Sequence, residues 1–189
     1  RVAQLNNEKN KWILEKLSYK YIDMPSGLPD SRKVEIYISC IKEAVASAKI
    51  STINAAVSLP VSSAIIKVVQ APLMTEDEMN RAIEHESLWQ NLIQLQEELD
   101  AYSIFYQTIS RNSKTNTMDI LFVASKLSDI NNFTSIIKKG GLNPVIIDVK
   151  CFALKSAVDQ INQIARRIED TNLTAVLEFG LDENYVMIL

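Results

Sequence analysis

The stretch from Thr75 to Leu154 alternates helical and extended patterns, and this order constrains the fold more than any other feature of the chain. It begins with an acid-led helix and continues through the apolar strand Ile120–Ala124. A second helix then ends at Gly140-Gly141-Leu142-Asn143-Pro144, before the strand Val145–Val149. A continuous apolar strand predicts burial of both its faces, and Gly140 is predicted to supply the left-handed cap of the second helix. Strands that alternate with helices predict an α/β domain with a mixed sheet.

The acids that open the first of these helices have a local structural explanation. Thr75 and Glu78 have capping-box spacing, in which the threonine hydroxyl accepts from the Glu78 backbone and the Glu78 side chain reaches back. Glu76, Asp77 and Glu78 also suit the positive end of the helix dipole. A metal ion or a basic partner is the alternative explanation. The helix is predicted to run to about Trp89.

The flanking segments add two hairpins and another helix. Arg1–Asn6 with Lys11–Ile22 predicts one hairpin, and Leu173–Leu177 with Tyr185–Leu189 predicts the other. Asp30 or Ser31 is expected to cap a helix with an apolar face. That face is formed by Val34, Ile38, Ile41, Val45 and Ala48, which step by four and three. Two β-rich segments, Ile53–Leu59 and Ala64–Ala71, follow this helix.

This pattern predicts two lobes. Residues 1–60 and 113–189 are expected to form a core lobe that is incomplete at both ends, and residues 61–112 a smaller inserted α+β lobe. The chain opens at Arg1 without a methionine and stops inside a predicted strand. We therefore expect a fragment of a longer chain, and a membrane anchor outside it stays open.

Charge and hydropathy exclude two broad classes. Lys and Arg number 20 against 23 Asp and Glu, for a net charge of −3. The chain has no basic footprint, which argues against a nucleic-acid partner. The apolar run from Ile53 to Ile66 is broken by polar residues and Pro60, well short of the roughly 20 residues that a membrane helix needs. We predict no membrane span and no signal peptide within the chain.

The inventory of catalytic side chains is short. His85 is the single histidine and lies between two glutamates, so an exposed or partly packed histidine is favoured over a catalytic base. Cys40 and Cys151 are interpreted as buried free thiols rather than a disulfide. Two distant cysteines and one histidine do not supply an ordinary structural zinc site, and four glycines exclude a P-loop or a dinucleotide fingerprint. We predict no catalytic residue and no metal site.

Six short motifs follow one another along most of the chain. They are Ser58-Leu59-Pro60-Val61-Ser62, Thr75-Glu76-Asp77-Glu78, Ile83-Glu84-His85-Glu86, Leu121-Phe122-Val123-Ala124, Gly141-Leu142-Asn143-Pro144 and Asp148-Val149-Lys150-Cys151-Phe152-Ala153-Leu154. Their order and spacing resemble the actin-like PilM family of type IV pilus assembly. The chain is also similar to the degenerate relatives of that family, such as the cytoplasmic domain of the GspL platform protein in type II secretion. The resemblance implies an actin-like (ribonuclease H-like) fold.

The same resemblance indicates a degenerate nucleotide site. Glu178 and Gly180 match the second phosphate loop, where actin-like ATPases usually have Asp-x-Gly. Leu181, Asp182 and Glu183 follow, and acids beside a triphosphate repel it unless a magnesium ion intervenes. We therefore expect no cofactor in this chain, while ATP binding by the intact protein stays open.

The function that the resemblance implies is binding rather than catalysis. The expected role is a scaffold at the cytoplasmic face of the bacterial inner membrane, either peripheral or as the cytoplasmic domain of a bitopic protein. Its expected partners are a bitopic inner-membrane platform protein of a pilus or secretion machine, a hexameric assembly ATPase and a polytopic platform protein, with a homodimer as a further expectation. The alternatives are a nucleotide-binding actin-like ATPase whose first phosphate loop lies outside this chain, or an unrelated α/β domain.

A partner-binding surface is expected at an exposed edge strand or groove. Such an edge captures an extended peptide through backbone hydrogen bonds. We expect Ile65, Lys67, Tyr102 and Phe105 to lie near it, in the smaller lobe.

Overall fold

The computed structural model describes residues 1–9, 11–84, 93, 95–165, 174–180 and 183–188. The strands are β1 (Val2–Glu8), β2 (Lys11–Ser18), β3 (Asn54–Leu59), β4 (Ile65–Pro72), β5 (Tyr102–Asn112), β6 (Thr117–Lys126), β7 (Asn143–Val149), β8 (Ala175–Phe179) and β9 (Asn184–Ile188). The helices with defined bounds are α1 (Asp30–Ser47), α2 (Glu76–Glu84), α3 (Leu127–Lys139) and α4 (Lys150–Ala165), with short 3-10 helices at Val61–Ser63 and Leu99–Ala101.

The chain divides into two compact units. The first unit comprises Arg1–Leu59 and Asn131–Asp148, and the second comprises Pro60–Ile130 and Val149–Leu189. β6 forms one sheet with β4 and β5 in the second unit. The lobes expected from the sequence, 1–60 with 113–189 and 61–112, stay a prediction.

The first unit contains two small sheets and the longest described helix. β1 and β2 form the antiparallel hairpin that the sequence predicts, and β3 pairs with β7. α1 follows Pro29, whose carbonyl accepts the first backbone hydrogen bonds, and no side chain caps the helix. The prediction that Asp30 or Ser31 caps α1 is therefore wrong. Asp30 instead lies in the first turn, where its carboxylate pairs with Lys33 at 2.8 Å.

The end of α3 is set by two adjacent glycines with different roles. Gly141 has a φ of +95°, in the left-handed region that glycine adopts without steric cost. The Leu142 N–H donates to the Ile137 carbonyl at 3.2 Å, which completes a Schellman motif. The left-handed cap is therefore Gly141. The sequence-based prediction that Gly140 supplies it is wrong. Gly140 packs closely instead, because a Cβ at this position would lie 2.6 Å from Cγ2 of Ile41.

The second unit is built on an antiparallel sheet in the order β4-β6-β5. β6 is the central strand, and its Ile120 and Phe122 side chains are fully buried in one cluster. Val123 belongs to a second cluster, which it forms with Val149 and Cys151. Because neighbouring side chains of a strand point to opposite faces, β6 is covered on both sides, and this prediction is confirmed.

The start of α2 confirms the predicted capping box. The Thr75 N–H donates to the Glu78 carboxylate at 2.8 Å, while the Glu78 N–H donates to the Thr75 hydroxyl at 3.3 Å. Hydrogen bonds from Thr75 hold the pKa of Glu78 below its usual range, and the one from the Thr75 backbone has the largest effect. The predicted continuation of this helix to Trp89, and His85 within it, lie outside the described residues.

β8 and β9 form an antiparallel hairpin in which Glu178 lies opposite Tyr185. Tyr185 and Met187 pack against the cluster that contains Val123. The hairpin predicted at this end of the chain is therefore confirmed.

Gly140→Ala is expected to lower the free energy of unfolding by about 1–3 kcal/mol, because the added methyl group overlaps with Ile41. Urea denaturation measures this cost in Gly140→Ala, in Ile41→Ala and in the double variant. If the overlap is the cause, the double variant loses about 1 kcal/mol less than the sum of the single losses.

Gly141→Ala is the matched control. Its Cβ would meet open space, so it destabilises only through its positive φ, by about 1–2 kcal/mol. When Gly141→Ala is combined with Ile41→Ala, the two losses in the free energy of unfolding are expected to be additive. Additive losses for Gly140→Ala and Ile41→Ala would contradict the close contact.

Candidate functional site

A cavity of about 370 Å³ opens beside the end of the three-stranded sheet in the second unit. We call it the Tyr102 cavity. Its lining combines apolar, hydroxyl and charged side chains: Ser62, Ser63, Ala64, Ile65, Lys67, Ile93, Gln96, Tyr102, Ala124, Lys126 and Asp129.

The strand register brings these residues together. Ile65 of β4 lies opposite Ala124 of β6, and Tyr102 of β5 lies opposite Lys126 of β6. Lys67 follows Ile65 by two positions and therefore shares its face of β4. Two strands that are distant in sequence thus contribute to one wall through their pairing with β6.

The hydroxyl of Tyr102 has no hydrogen-bond partner among the described residues. The side chain is only 6% exposed. A buried hydroxyl without a partner costs roughly 1–3 kcal/mol, because it has lost its hydrogen bonds to water. The wall of the cavity therefore contains a buried polar group that lacks a hydrogen-bond partner among the described residues.

Two lysines and two carboxylates set the charge around the cavity. Lys67 donates to the backbone carbonyl of Ile93 at 2.7 Å. Lys126 pairs with Glu97 at 2.5 Å, and this hydrogen bond raises the pKa of Lys126 above its usual range. Asp129 also lines the cavity. Both signs of charge are present, which suits a ligand that carries donors and acceptors.

Three of the four residues expected at a partner-binding edge line this cavity: Ile65, Lys67 and Tyr102. Phe105 does not line it. It is three positions after Tyr102 on β5, so it points to the opposite face of the sheet, where it is 58% exposed. The binding roles of these four residues stay predictions.

Sequence reasoning missed Gln96, Lys126 and Asp129, which also line the cavity. None belongs to a recognisable motif. The one available signal for Lys126 is its place at the end of the apolar strand β6, and the register with Tyr102 becomes visible only in the folded sheet.

A smaller cavity of about 270 Å³ lies between α2 and β5. Two of its polar side chains, Tyr106 and Arg111, are already engaged. The Tyr106 hydroxyl donates to Asn80 at 2.7 Å, and Arg111 donates to the Met74 carbonyl at 3.0 Å.

The position that resembles a second phosphate loop lies in the β8–β9 hairpin. Glu178 pairs with Lys150 at 2.7 Å, and this interaction raises the pKa of the lysine. The Lys150 ammonium also lies 6.0 Å from the centre of the Tyr185 ring. The nearest cation is therefore already neutralised by a carboxylate.

Gly180 and Glu183 close the same loop. The Gly180 N–H donates to the Glu183 carbonyl at 3.0 Å, and a Cβ on Gly180 would lie 2.7 Å from that oxygen. The carboxylate of Glu183 accepts hydrogen bonds from the backbone of Val61 and Ser62 at 3.1 and 2.9 Å, and from the Ser62 hydroxyl at 2.9 Å. Two carboxylates and a closed turn do not fit a phosphate group. The nucleotide-binding role of Glu178 and Gly180 stays a prediction that this geometry does not support.

Within the described ranges, no three His, Cys, Asp or Glu side chains come together in a group that could hold a metal ion. None of the described helices has both the length and the hydropathy of a membrane-spanning segment.

The family model for the type IV pilus assembly protein PilM matches residues 1–189. A solved PilM-PilN type IV pilus biogenesis complex resembles the chain with a TM-score of 0.72 and 18% sequence identity, over 99% of this chain and 54% of that chain. The cytoplasmic domain of EpsL, an inner membrane component of the type II secretion system of Vibrio cholerae, resembles it with a TM-score of 0.50 and 12% identity, over 80% and 56% of the two chains. No curated protein has a sequence that matches the chain.

These similarities confirm the predicted α/β, actin-like fold. The chain spans little more than half the length of either solved relative.

Tyr102→Phe is expected to leave the free energy of unfolding unchanged or to raise it by up to about 1 kcal/mol, because it removes a buried hydroxyl that lacks a partner. Tyr106→Phe is the matched control on the same strand. It removes the hydrogen bond to Asn80 and should cost about 0.5–1.5 kcal/mol. Urea denaturation compares the two, and a larger loss for Tyr102→Phe than for Tyr106→Phe would contradict an unpaired hydroxyl.

Proposed function

Because the chain belongs to the family of the type IV pilus assembly protein PilM, we propose that it is a non-catalytic scaffold domain. It acts at the cytoplasmic face of the bacterial inner membrane, where it joins a bitopic platform protein to the assembly ATPase. Family membership supports a role in the assembly of a pilus or of the related secretion machine. The scaffold role is our proposal.

The two solved relatives support a membrane-bound partner. One is a complex of PilM with PilN, and the other is the cytoplasmic domain of an inner membrane component of type II secretion. We infer that this chain likewise binds a short segment of a bitopic inner-membrane protein. A hexameric ATPase, a polytopic platform protein and a second copy of the chain are the further partners of this proposal.

The Tyr102 cavity is the observation that carries the proposal. It offers apolar contact through Ile65 and Ile93, charge through Lys67 and Lys126, and an unpaired hydroxyl on Tyr102. A peptide supplies all three complementary features through its side chains and its backbone amides.

The neighbouring strand suits an extended peptide. Among the described strands, β4 pairs only with β6, so none of them occupies its other edge. A peptide that adds to such an edge gains affinity from backbone hydrogen bonds and specificity from pockets for alternate side chains. In our proposal, one side chain of the partner enters the Tyr102 cavity while its backbone follows β4.

Two substitutions in the intact protein test this proposal. Lys67→Glu reverses a charge at the cavity, and Ser63→Phe fills the cavity from its rim. Each is expected to weaken binding of the bitopic partner by about tenfold or more, equivalent to about 1.4 kcal/mol. Crosslinking in native membranes, capture of the protein and mass spectrometry measure recovery of that partner and of the assembly ATPase.

Lys114→Glu is the matched control, since it makes the same charge change on an exposed residue in the turn after β5. It should leave recovery unchanged. Far-UV circular dichroism verifies that each variant is folded. Undiminished partner recovery with folded Lys67→Glu and Ser63→Phe would remove the cavity from the interface.

A further inference from the structure

The Glu183 carboxylate, between β8 and β9, accepts hydrogen bonds from the kinds of groups that bind anions in proteins. Both oxygens of Glu183 accept hydrogen bonds, from the N–H groups of Val61 and Ser62 and from the Ser62 hydroxyl, at 2.9 to 3.1 Å. Backbone amides and hydroxyls are the donors that commonly bind phosphate oxygens. Here all three already bind a side chain from the same chain.

The backbone of the turn leaves no space for a ligand at the glycine. Glycines in phosphate loops allow a phosphate to approach the backbone closely. At Gly180 the nearest atom in that space is the Glu183 carbonyl oxygen, 2.7 Å from the position of a Cβ, and the Lys150 ammonium lies 3.7 Å from the same position. The absence of a side chain at Gly180 therefore allows the close approach of the Glu183 carbonyl rather than of a ligand.

The charges of the loop also oppose an anion. Lys150 is paired with Glu178 at 2.7 Å, so its positive charge is compensated. Glu183 adds a second carboxylate, and its pKa is held below the usual range, first by the hydrogen bond from the Ser62 backbone. The fourth ionisable group here, Tyr185, is neutral, because burial raises its pKa above the ordinary value. A phosphate group would meet a net negative site and would have to displace the Glu183 carboxylate.

We propose that the Glu183 carboxylate is the resident anionic ligand of this loop and that it excludes an external phosphate group. The Glu183 hydrogen bonds then act as a structural contact, called the Glu183 clasp, between the β8–β9 turn and the segment Val61–Ser63. In this role the loop does not bind phosphate. This inference does not rest on the scaffold function, although Ser62 both donates to Glu183 and lines the Tyr102 cavity.

Amide chemical shifts of Val61 and Ser62 in the full chain test the clasp directly. Inorganic phosphate and Mg-ADP, each at millimolar concentration and neutral pH, are expected to cause no saturable change in either shift. Acidification is expected to move both shifts, with a midpoint below the ordinary glutamate pKa of 4.5. Because the folded pKa is lowered, the stabilisation from Glu183 is present above that ordinary value and is lost as the pH falls through the folded pKa.

Glu183→Gln should abolish this titration, whereas Glu78→Gln, which alters a capping carboxylate elsewhere in the unit, should leave it intact. If Glu183→Gln does not fold, the ¹³C shift of the Glu183 carboxyl in the unaltered chain gives the same midpoint. The proposal is overturned if phosphate or Mg-ADP produces saturable shifts at Val61 and Ser62, if the amides still titrate in Glu183→Gln, or if the Glu183 carboxyl titrates at 4.5 or above.

Discussion

The pairing of β6 with both β4 and β5 is the constraint on which the second unit depends. It satisfies both backbone edges of β6 and fixes which of its side chains enter each hydrophobic cluster. A slip of one residue would exchange Phe122 and Val123 between the two faces of the sheet. Each side chain would then meet the hydrophobic cluster that now packs against the other. The same register places Tyr102 and Ile65 at the cavity, so the candidate site is a consequence of how the core is packed.

Two polar groups in this unit differ in whether their hydrogen bonds are satisfied. The Tyr102 hydroxyl is buried and has no partner among the described residues, so a ligand that reaches it recovers a lost interaction. The Glu183 carboxylate accepts three hydrogen bonds, so a ligand must first displace it. The surroundings of each group therefore decide whether a ligand gains a hydrogen bond there or has to break existing ones.

The local features of the chain were predictable to the extent that neighbouring residues decide them. The capping box of Thr75 and Glu78 depends on the backbone between them, and it was confirmed. The helix stop at Gly140 and Gly141 was also recognisable, but the left-handed position was assigned one residue too early. Gly140 instead lies against Ile41, which is 99 positions away, and no local pattern shows such a contact. The Pro29 start of α1 was missed for a simpler reason, since Asp30 and Ser31 are ordinary capping residues.

By itself, the sequence determined the order of helices and strands, the apolar character of β6 and the family to which the chain belongs. These depend on periodicity and on motifs whose members are close in the chain. Only the tertiary structure decided that Tyr102 rather than Phe105 lies on the buried face of β5, that Lys126 joins the cavity, and that Glu183 binds Ser62 across 121 positions of sequence. Such convergence depends on strand register and on competition among distant packing partners, which a local pattern of residues does not encode.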